Sequence, residues 1–192
     1  MNSIYLIRHG EAVDGWTSLD PKLSDKGKEQ AKNLRTFIAN KKLKNIEVIS
    51  SPLLRCIETC EIALNKCNGG IKIDQNFSEL PSPVKDLNSR VDWLKKVLPL
   101  TWEELENNKE SKLSNIDYSK WRKNIITEVL STKVETIIFT HFVVINSIVG
   151  SILGSNKVVN FYPNNCSITQ LAIQNNKLGI IELGESQSTK VN

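Results

Sequence analysis

A short apolar run, Ser3-Ile4-Tyr5-Leu6-Ile7, stops abruptly at Arg8-His9-Gly10-Glu11. Such a run reads as a buried strand that hands a cation and an imidazole to its C-terminal end. The chain has 2 histidines, and the second closes a similar run, Glu135-Thr136-Ile137-Ile138-Phe139-Thr140-His141. Histidines scattered over a surface would not both fall at strand exits. The pattern predicts an active site at the carboxyl edge of an α/β sheet.

The expected fold is α/β: a three-layer α/β/α sandwich with a mostly parallel central sheet and a small helical cap insertion. After the first strand, 13–22 is a polar loop carrying Gly15, Trp16 and Pro21. Ser24 is placed to cap a helix running to about Lys41, with Asp25 in its first turn and Gly27, Ala31, Leu34 and Ile38 on one face. A strand from Ile46 to Ser51 leads into a helix from Leu54 to Lys66. Asn68-Gly69-Gly70 then turns the chain into a short strand, Ile71 to Asp74. From Pro81 to about Ser131 the helices look short and charged, with prolines between them and Trp93, Trp102 and Trp121 among them. We expect an insertion capping the sheet, its tryptophans forming either a pocket wall or simply core. Val143 to Leu153 is apolar almost all round and is terminated by Gly154. Asn175-Asn176 joins two strands of a terminal hairpin, Ser167 to Ile173 and Lys177 to Leu183.

At 192 residues the chain suits one domain, 1–184 with the insertion at about 81–131, followed by a frayed polar tail at 185–192. A net charge of +4 is too mild to argue for nucleic acid, and it suits a small anionic substrate. Cys56, Cys60, Cys67 and Cys166 lack metal-ligand spacing. Cys56 and Cys60, four apart on one helix face, read as small buried apolar groups rather than as a disulfide or zinc site. Neither a signal peptide nor a membrane-spanning run is legible, so a cytoplasmic protein is expected, with no membrane partner. A homodimer is left open.

Leu6-Ile7-Arg8-His9-Gly10-Glu11 resembles the opening signature of the histidine phosphatase superfamily, which includes the cofactor-dependent phosphoglycerate mutases. Leu23-Ser24-Asp25-Lys26-Gly27-Lys28-Glu29-Gln30-Ala31 resembles its first helix. Ser50-Ser51-Pro52-Leu53-Leu54-Arg55-Cys56-Ile57-Glu58-Thr59 resembles its second arginine motif, and the strand ending at His141 its second histidine motif. The four segments occur in the family's order and span Ile4 to about Gly154.

The resemblance implies a phosphohistidine intermediate. His9 is then the nucleophile, one ring nitrogen attacking while the other holds its proton against a backbone carbonyl beside Gly10. Arg8 and Arg55 are the expected phosphate clamps, since a guanidinium fork bonds phosphoryl oxygens in pairs and stays charged. His141 completes the phosphate-binding set, and no metal or other cofactor is expected. Glu79, in Phe77-Ser78-Glu79-Leu80, resembles the family's proton donor and would need a raised pKa. Glu11, Asp14 and Asp86 are the alternative acids. Gly15 stands where the mutases carry asparagine, and Phe142 stands where many of the phosphatases carry glycine.

These features favour a phosphomonoesterase acting on a small phosphorylated metabolite. A mutase would need a closing lid and paired anion sites, and no extra basic cluster stands out in the sequence. Two further alternatives are a phosphatase of protein phosphohistidine and a catalytically silent phosphate-binding scaffold. Sugar phosphates, phosphoglycerate, nucleotides and ribazole phosphate all stay open as substrates.

Overall fold

The computed structural model describes residues 2–13, 18, 20–40, 46–65 and 70–186. Asp14, Gly15, Trp16, Cys67 and the Asn68-Gly69 pair lie outside them, as do the expected helix ends at Lys41 and Lys66 and nearly all of the tail.

Strand β1 (Asn2–Arg8) lies inside a six-stranded sheet ordered β3-β2-β4-β1-β5-β6. Its neighbours on the parallel side are β4 (Thr136–Thr140), β2 (Glu47–Ser50) and the short β3 (Lys72–Ile73). On its other side, β5 (Ile168–Gln174) and β6 (Lys177–Glu182) form an antiparallel hairpin. Asn175 and Asn176 make that turn with φ of 50° and 58°, the pair of left-handed residues a tight hairpin requires. The sheet is therefore mixed, parallel over β3-β2-β4-β1.

Helices cover both faces, and the apolar run of β1 explains how. Ile4 and Leu6 point to one face, where they pack with Ile49 and Ile138 against α6 (Tyr118–Ser131) and α7 (Phe142–Leu153). Tyr5 and Ile7 point to the other, with Val48, Ile137 and Phe139, against α1 (Asp25–Asn40) and α2 (Leu54–Leu64). A strand buried on both faces cannot alternate with polar residues, and this one does not. Cys56 and Cys60 sit fully buried in the second core, and Cys56 goes beyond the apolar role expected of it, with Sγ 3.5 Å from the Thr140 carbonyl and 3.4 Å from His141 Nε2. Gly154 ends α7 with a φ of 65°.

The insertion carries α3 (Leu87–Val97), α4 (Trp102–Asn107), α5 (Lys109–Lys112) and α6. Each starts on a side-chain cap, from Asp86, Thr101, Asn108 and Asp117 in turn, which is how such short, polar helices are held. Trp93 and Trp102 are buried here with Val97, Leu105 and Tyr118, and Trp121 packs against them. The tryptophans thus form the insertion's own core and not a pocket wall. No described helix is long and apolar enough to cross a membrane.

Candidate active site

The register of β1 on β4 pairs Arg8 with Thr140, so His9 and His141 leave neighbouring parallel strands at the same level. Their rings lie 5.2 Å apart, centroid to centroid. Arg55, on the first turn of α2, is wedged against both. Its Nε donates to His9 Nε2 at 3.2 Å and its Nη2 to His141 Nδ1 at 3.1 Å.

Because arginine can only donate, these bonds fix the protons on both rings. His9 Nδ1–H donates to the Gly10 carbonyl at 2.7 Å, leaving the lone pair on Nε2. His141 accepts at Nδ1, so its proton sits on Nε2 and is donated to Ser51 Oγ at 2.8 Å. Burial holds both imidazoles well below their ordinary pKa, and Arg55 adds to the effect in each. Both rings are neutral at neutral pH.

The surroundings of this floor follow from the motifs. The Gly10 amide donates to Thr59 on α2, and Asn165 Nδ2 donates to the His9 carbonyl. A side chain on Gly10 would drive its Cβ to 2.7 Å from the Gly27 carbonyl oxygen, so the glycine admits the start of α1. Asp20 accepts from the Leu54 amide at 2.8 Å and approaches Arg55 Nη1 at 3.8 Å. Arg8 is anchored by Nη1 to the Pro163 carbonyl at 2.7 Å and lies over the Phe142 ring. Phe142 therefore backs a site cation instead of crowding the cavity.

Glu79 reaches the same place by another route. Phe77 is buried in the core and its carbonyl accepts from Thr140 Oγ1 at 2.8 Å, pinning the segment to the end of β4. Glu79 Oε1 then accepts from the Leu80 amide at 2.9 Å and from the Val143 amide at 3.3 Å. Desolvation raises its pKa against these bonds and the pull of Arg55 and Arg8.

The rival acids are otherwise engaged. Glu11 accepts from Ser24 and Lys26, which hold its pKa down, and Asp86 is held down by capping α3 through Ser89. Asp14 lies outside the described residues.

Arg8, His9, Arg55 and Glu79 line a cavity of about 310 Å³, closed on the far side by Leu87, Arg90 and Leu94 of α3. His141 is fully buried behind Arg55 rather than on the cavity surface. Arg90 escaped the sequence reading, which saw no extra cation for an anion. Among the described residues, no cluster of three or more His, Cys, Asp or Glu could hold a metal.

The arrangement offers a neutral imidazole lone pair, permanent cations and a carboxyl with a raised pKa around one small cavity. That is equipment for moving a phosphoryl group.

Comparison with known proteins agrees with the motifs. The human 6-phosphofructo-2-kinase/fructose-2,6-bisphosphatase 4 is 34% identical over 90 residues, covering 41% of this chain and 19% of that protein. The chain thus matches about a fifth of the length of this much longer relative.

Solved structures with the same fold include a phosphoserine phosphatase from Entamoeba histolytica, with a TM-score of 0.71 at 18% identity over 97% of this chain and 98% of that one. An alpha-ribazole phosphatase from Shigella flexneri superposes with a TM-score of 0.69 at 18% identity, over 95% and 96% of the two chains. A mycobacterial glucosyl-3-phosphoglycerate phosphatase gives 0.70 at 15% identity, over 97% and 100%. The family model for branch 1 of the histidine phosphatase superfamily matches residues 4–186, nearly the whole described chain, and to that superfamily the protein belongs.

Proposed function

We propose that this chain is a phosphomonoesterase that hydrolyses a small phosphorylated metabolite through a phosphohistidine on His9. The observation that carries the reading is the proton placement on His9. With Nδ1–H tied to the Gly10 carbonyl, the Nε2 lone pair points toward Arg55 and the cavity.

A phosphoryl group entering the cavity takes over the donors of Arg55 and Arg8 and meets Nε2. The P–N bond forms as the P–O bond to the leaving alcohol breaks, and Glu79 delivers its proton to the departing oxygen. Glu79, now a carboxylate, takes a proton from the water that attacks phosphorus. The P–N bond breaks, inorganic phosphate leaves, and His9 is neutral again.

His141 assists only if its Nδ1 carries a proton toward the phosphoryl oxygens. A phosphate monoester arriving as its monoanion can supply that proton, and Ser51, which accepts from Nε2–H, holds the ring in place while it carries both protons. Ser51 is thus a positioning residue for His141. The scheme draws its positive charge from arginines and needs no metal.

The test is hydrolysis of para-nitrophenyl phosphate and a panel of alkyl phosphates in excess chelator, with a base quench during turnover. A base-stable, acid-labile phosphoryl group on the protein is expected. Turnover without it, or turnover lost to the chelator and restored by magnesium or zinc, overturns the scheme. Arg90 gives one reason to keep transfer to a bound acceptor as a second reading, since it adds a cation beyond the expected clamps. One phosphate released per substrate consumed selects hydrolysis.

A further inference from the structure

Helices α6 and α7 meet along an apolar seam on the face of the sheet that carries Ile4 and Leu6. Ile125 and Val129 enter it from α6, and Val144, Ile148 and Val149 from α7. Outside the seam the two helices leave a groove of about 290 Å³. Arg122, Lys123, Ile126 and Thr127 line it from α6, and Ser147 and Ser151 from α7. Arg122 with Ile126, Lys123 with Thr127, and Ser147 with Ser151 are each one helical turn apart, so each helix presents a single face. The groove shares no lining residue with the cavity at the strand ends.

The lining is chemically one-sided, with 2 cations, 3 hydroxyls and no carboxylate. Among the described residues neither Arg122 nor Lys123 forms an ion pair. Glu106 on α4 draws on Arg122 from beyond that range. The Arg122 guanidinium lies over the Trp102 ring, 4.5 Å from its centroid, which holds it in place before any ligand arrives.

Ser147 separates this groove from an ordinary basic patch. It is 1% exposed, and its Oγ has no hydrogen-bond partner. A hydroxyl inside a helix can return its proton to the carbonyl four residues back, as Thr127 does to Lys123 at 2.9 Å. Next to Ser147, Asn146 bonds back to Phe142 and accepts from the Asn160 and Phe161 amides. Ser147 does neither, so a buried donor stays unspent on the wall that faces two cations.

We propose that the α6–α7 groove binds a tetrahedral oxyanion, either free phosphate or the phosphate end of a small ester. Donors from both helices surround such a group on several sides, which suits a tetrahedron of acceptors better than a planar carboxylate. Two cations also match the charge of about −1.5 to −2 that a phosphate group carries at neutral pH. The site stands apart from His9 and does not depend on the hydrolase reading.

The test titrates inorganic phosphate into the full chain and follows the backbone amides by proton–nitrogen correlation spectra. Two sets of amides should move: those around His9 and Leu54 at the strand ends, and those of Thr127, Ser147 and Ser151. Arg55→Ala should silence the first set and spare the second. Arg122→Met should weaken the second by about 10- to 100-fold, the worth of hydrogen bonds to a charged group, and leave the first unchanged. Ser147→Ala should weaken it by about 3- to 10-fold and melt no lower than wild type, because its hydroxyl makes no bond in the fold. Glycerol 3-phosphate, titrated into His9→Ala protein so that it is not consumed, identifies the source. Tighter binding than inorganic phosphate assigns the groove to an ester, and equal or weaker binding assigns it to free phosphate.

Four results overturn the site: no saturable movement of the second set, movement reproduced by potassium chloride at equal ionic strength, acetate binding as tightly as phosphate, or binding that survives both substitutions. A lower melting temperature for Ser147→Ala would show the hydroxyl already bonded within the fold, and would overturn it too. A first set that never moves would count against phosphate binding at His9 and leave the groove standing. If Arg122→Met does not fold, Lys123→Met, at an exposed position, takes its place.

Discussion

The two walls of the cavity are made by different kinds of sequence. The floor comes from chain that has just left a strand: His9 after β1, His141 after β4, Arg55 one turn into α2. Each histidine there is bonded at both ring nitrogens, while Arg8 beside them keeps a buried Nε without a hydrogen-bond partner. The opposite wall comes from α3, in an insertion of short capped helices around a separate apolar core. There the half-buried Arg90 likewise has a buried Nε without a hydrogen-bond partner. A hydrogen-bonded pair of imidazoles is pre-organised for one task. The proposed chemistry rests on the floor, and the insertion supplies the wall that faces it.

If that division is right, the floor should carry the largest effects. His9→Ala should cut kcat about 10⁵-fold or more, the scale seen on removing a catalytic nucleophile, while circular dichroism stays native. A loss under tenfold would break the comparison at its strongest point. Glu79→Gln comes next, at about 10²–10⁴-fold on an alkyl phosphate, the usual worth of general acid–base catalysis. It should cost far less on para-nitrophenyl phosphate, whose phenolate leaves without help. Equal losses on both substrates would remove Glu79 from the acid role. The pH profile sharpens this further. His9, with its lowered pKa, stays neutral into mild acid, and Glu79, with its raised pKa, is the group lost on the alkaline side. Activity on alkyl phosphates should therefore peak in acid, and Glu79→Gln should erase the alkaline limb.

The same division explains what the sequence disclosed. Arg8, His9, Arg55 and His141 stand next to strand or helix ends, and a strand end fixes where its next side chain goes. Local pattern therefore located them, and the double burial of β1 and β4 made the sheet legible. Glu79 was legible by resemblance, although its placement depends on Thr140 holding the Phe77 carbonyl from 63 residues away. Arg90 was not legible. On α3 it is one of several charged residues, and only the packing of Trp93 and Val97 into the insertion core turns it toward the cavity. The tryptophans misled for the same reason, because an amphipathic helix does not announce which body its apolar face will join. Asp20, Ser51 and Asn165 act by bonds to residues distant in sequence, and no local spacing marks such partners.

Ser51→Ala should have a smaller effect, about 5- to 30-fold on kcat, the worth of one hydrogen bond to a group that becomes charged or polarised in the transition state. The split between parameters is what identifies a positioning role. If Ser51 holds the His141 ring while its Nδ1 presents a proton to the phosphoryl group, kcat falls, KM barely moves and Ser51→Thr recovers most of the rate. A drop in melting temperature with unchanged kcat would reduce Ser51 to structure and remove its positioning role toward His141.

The smallest effect is on stability, and its sign depends on pH. Burial raises the Glu79 pKa above the ordinary 4.5, so its folded pKa exceeds its unfolded one. Such a group supports folding below the unfolded pKa, and that support is lost as pH rises through the folded pKa. At neutral pH the carboxylate is therefore a burden, a cost that the proposed acid role would account for. Glutamine keeps an oxygen to accept from the Leu80 and Val143 amides and carries no charge. Glu79→Gln should melt higher than wild type at pH 7.5, by about 2–4 °C for each kcal/mol recovered in a chain of this size. The gap should close below about pH 4.5, where both states of the wild-type carboxyl are protonated. His9 and His141 resist protonation in the fold and so erode stability as pH falls below their ordinary 6.5. That erosion is shared by both proteins and cancels in the difference. A wild type that melts higher at pH 7.5 would mean that Arg55 and Arg8 outweigh burial. Glu79 would then be a stabilising anion at neutral pH, and the proton for the leaving group would have to come from elsewhere.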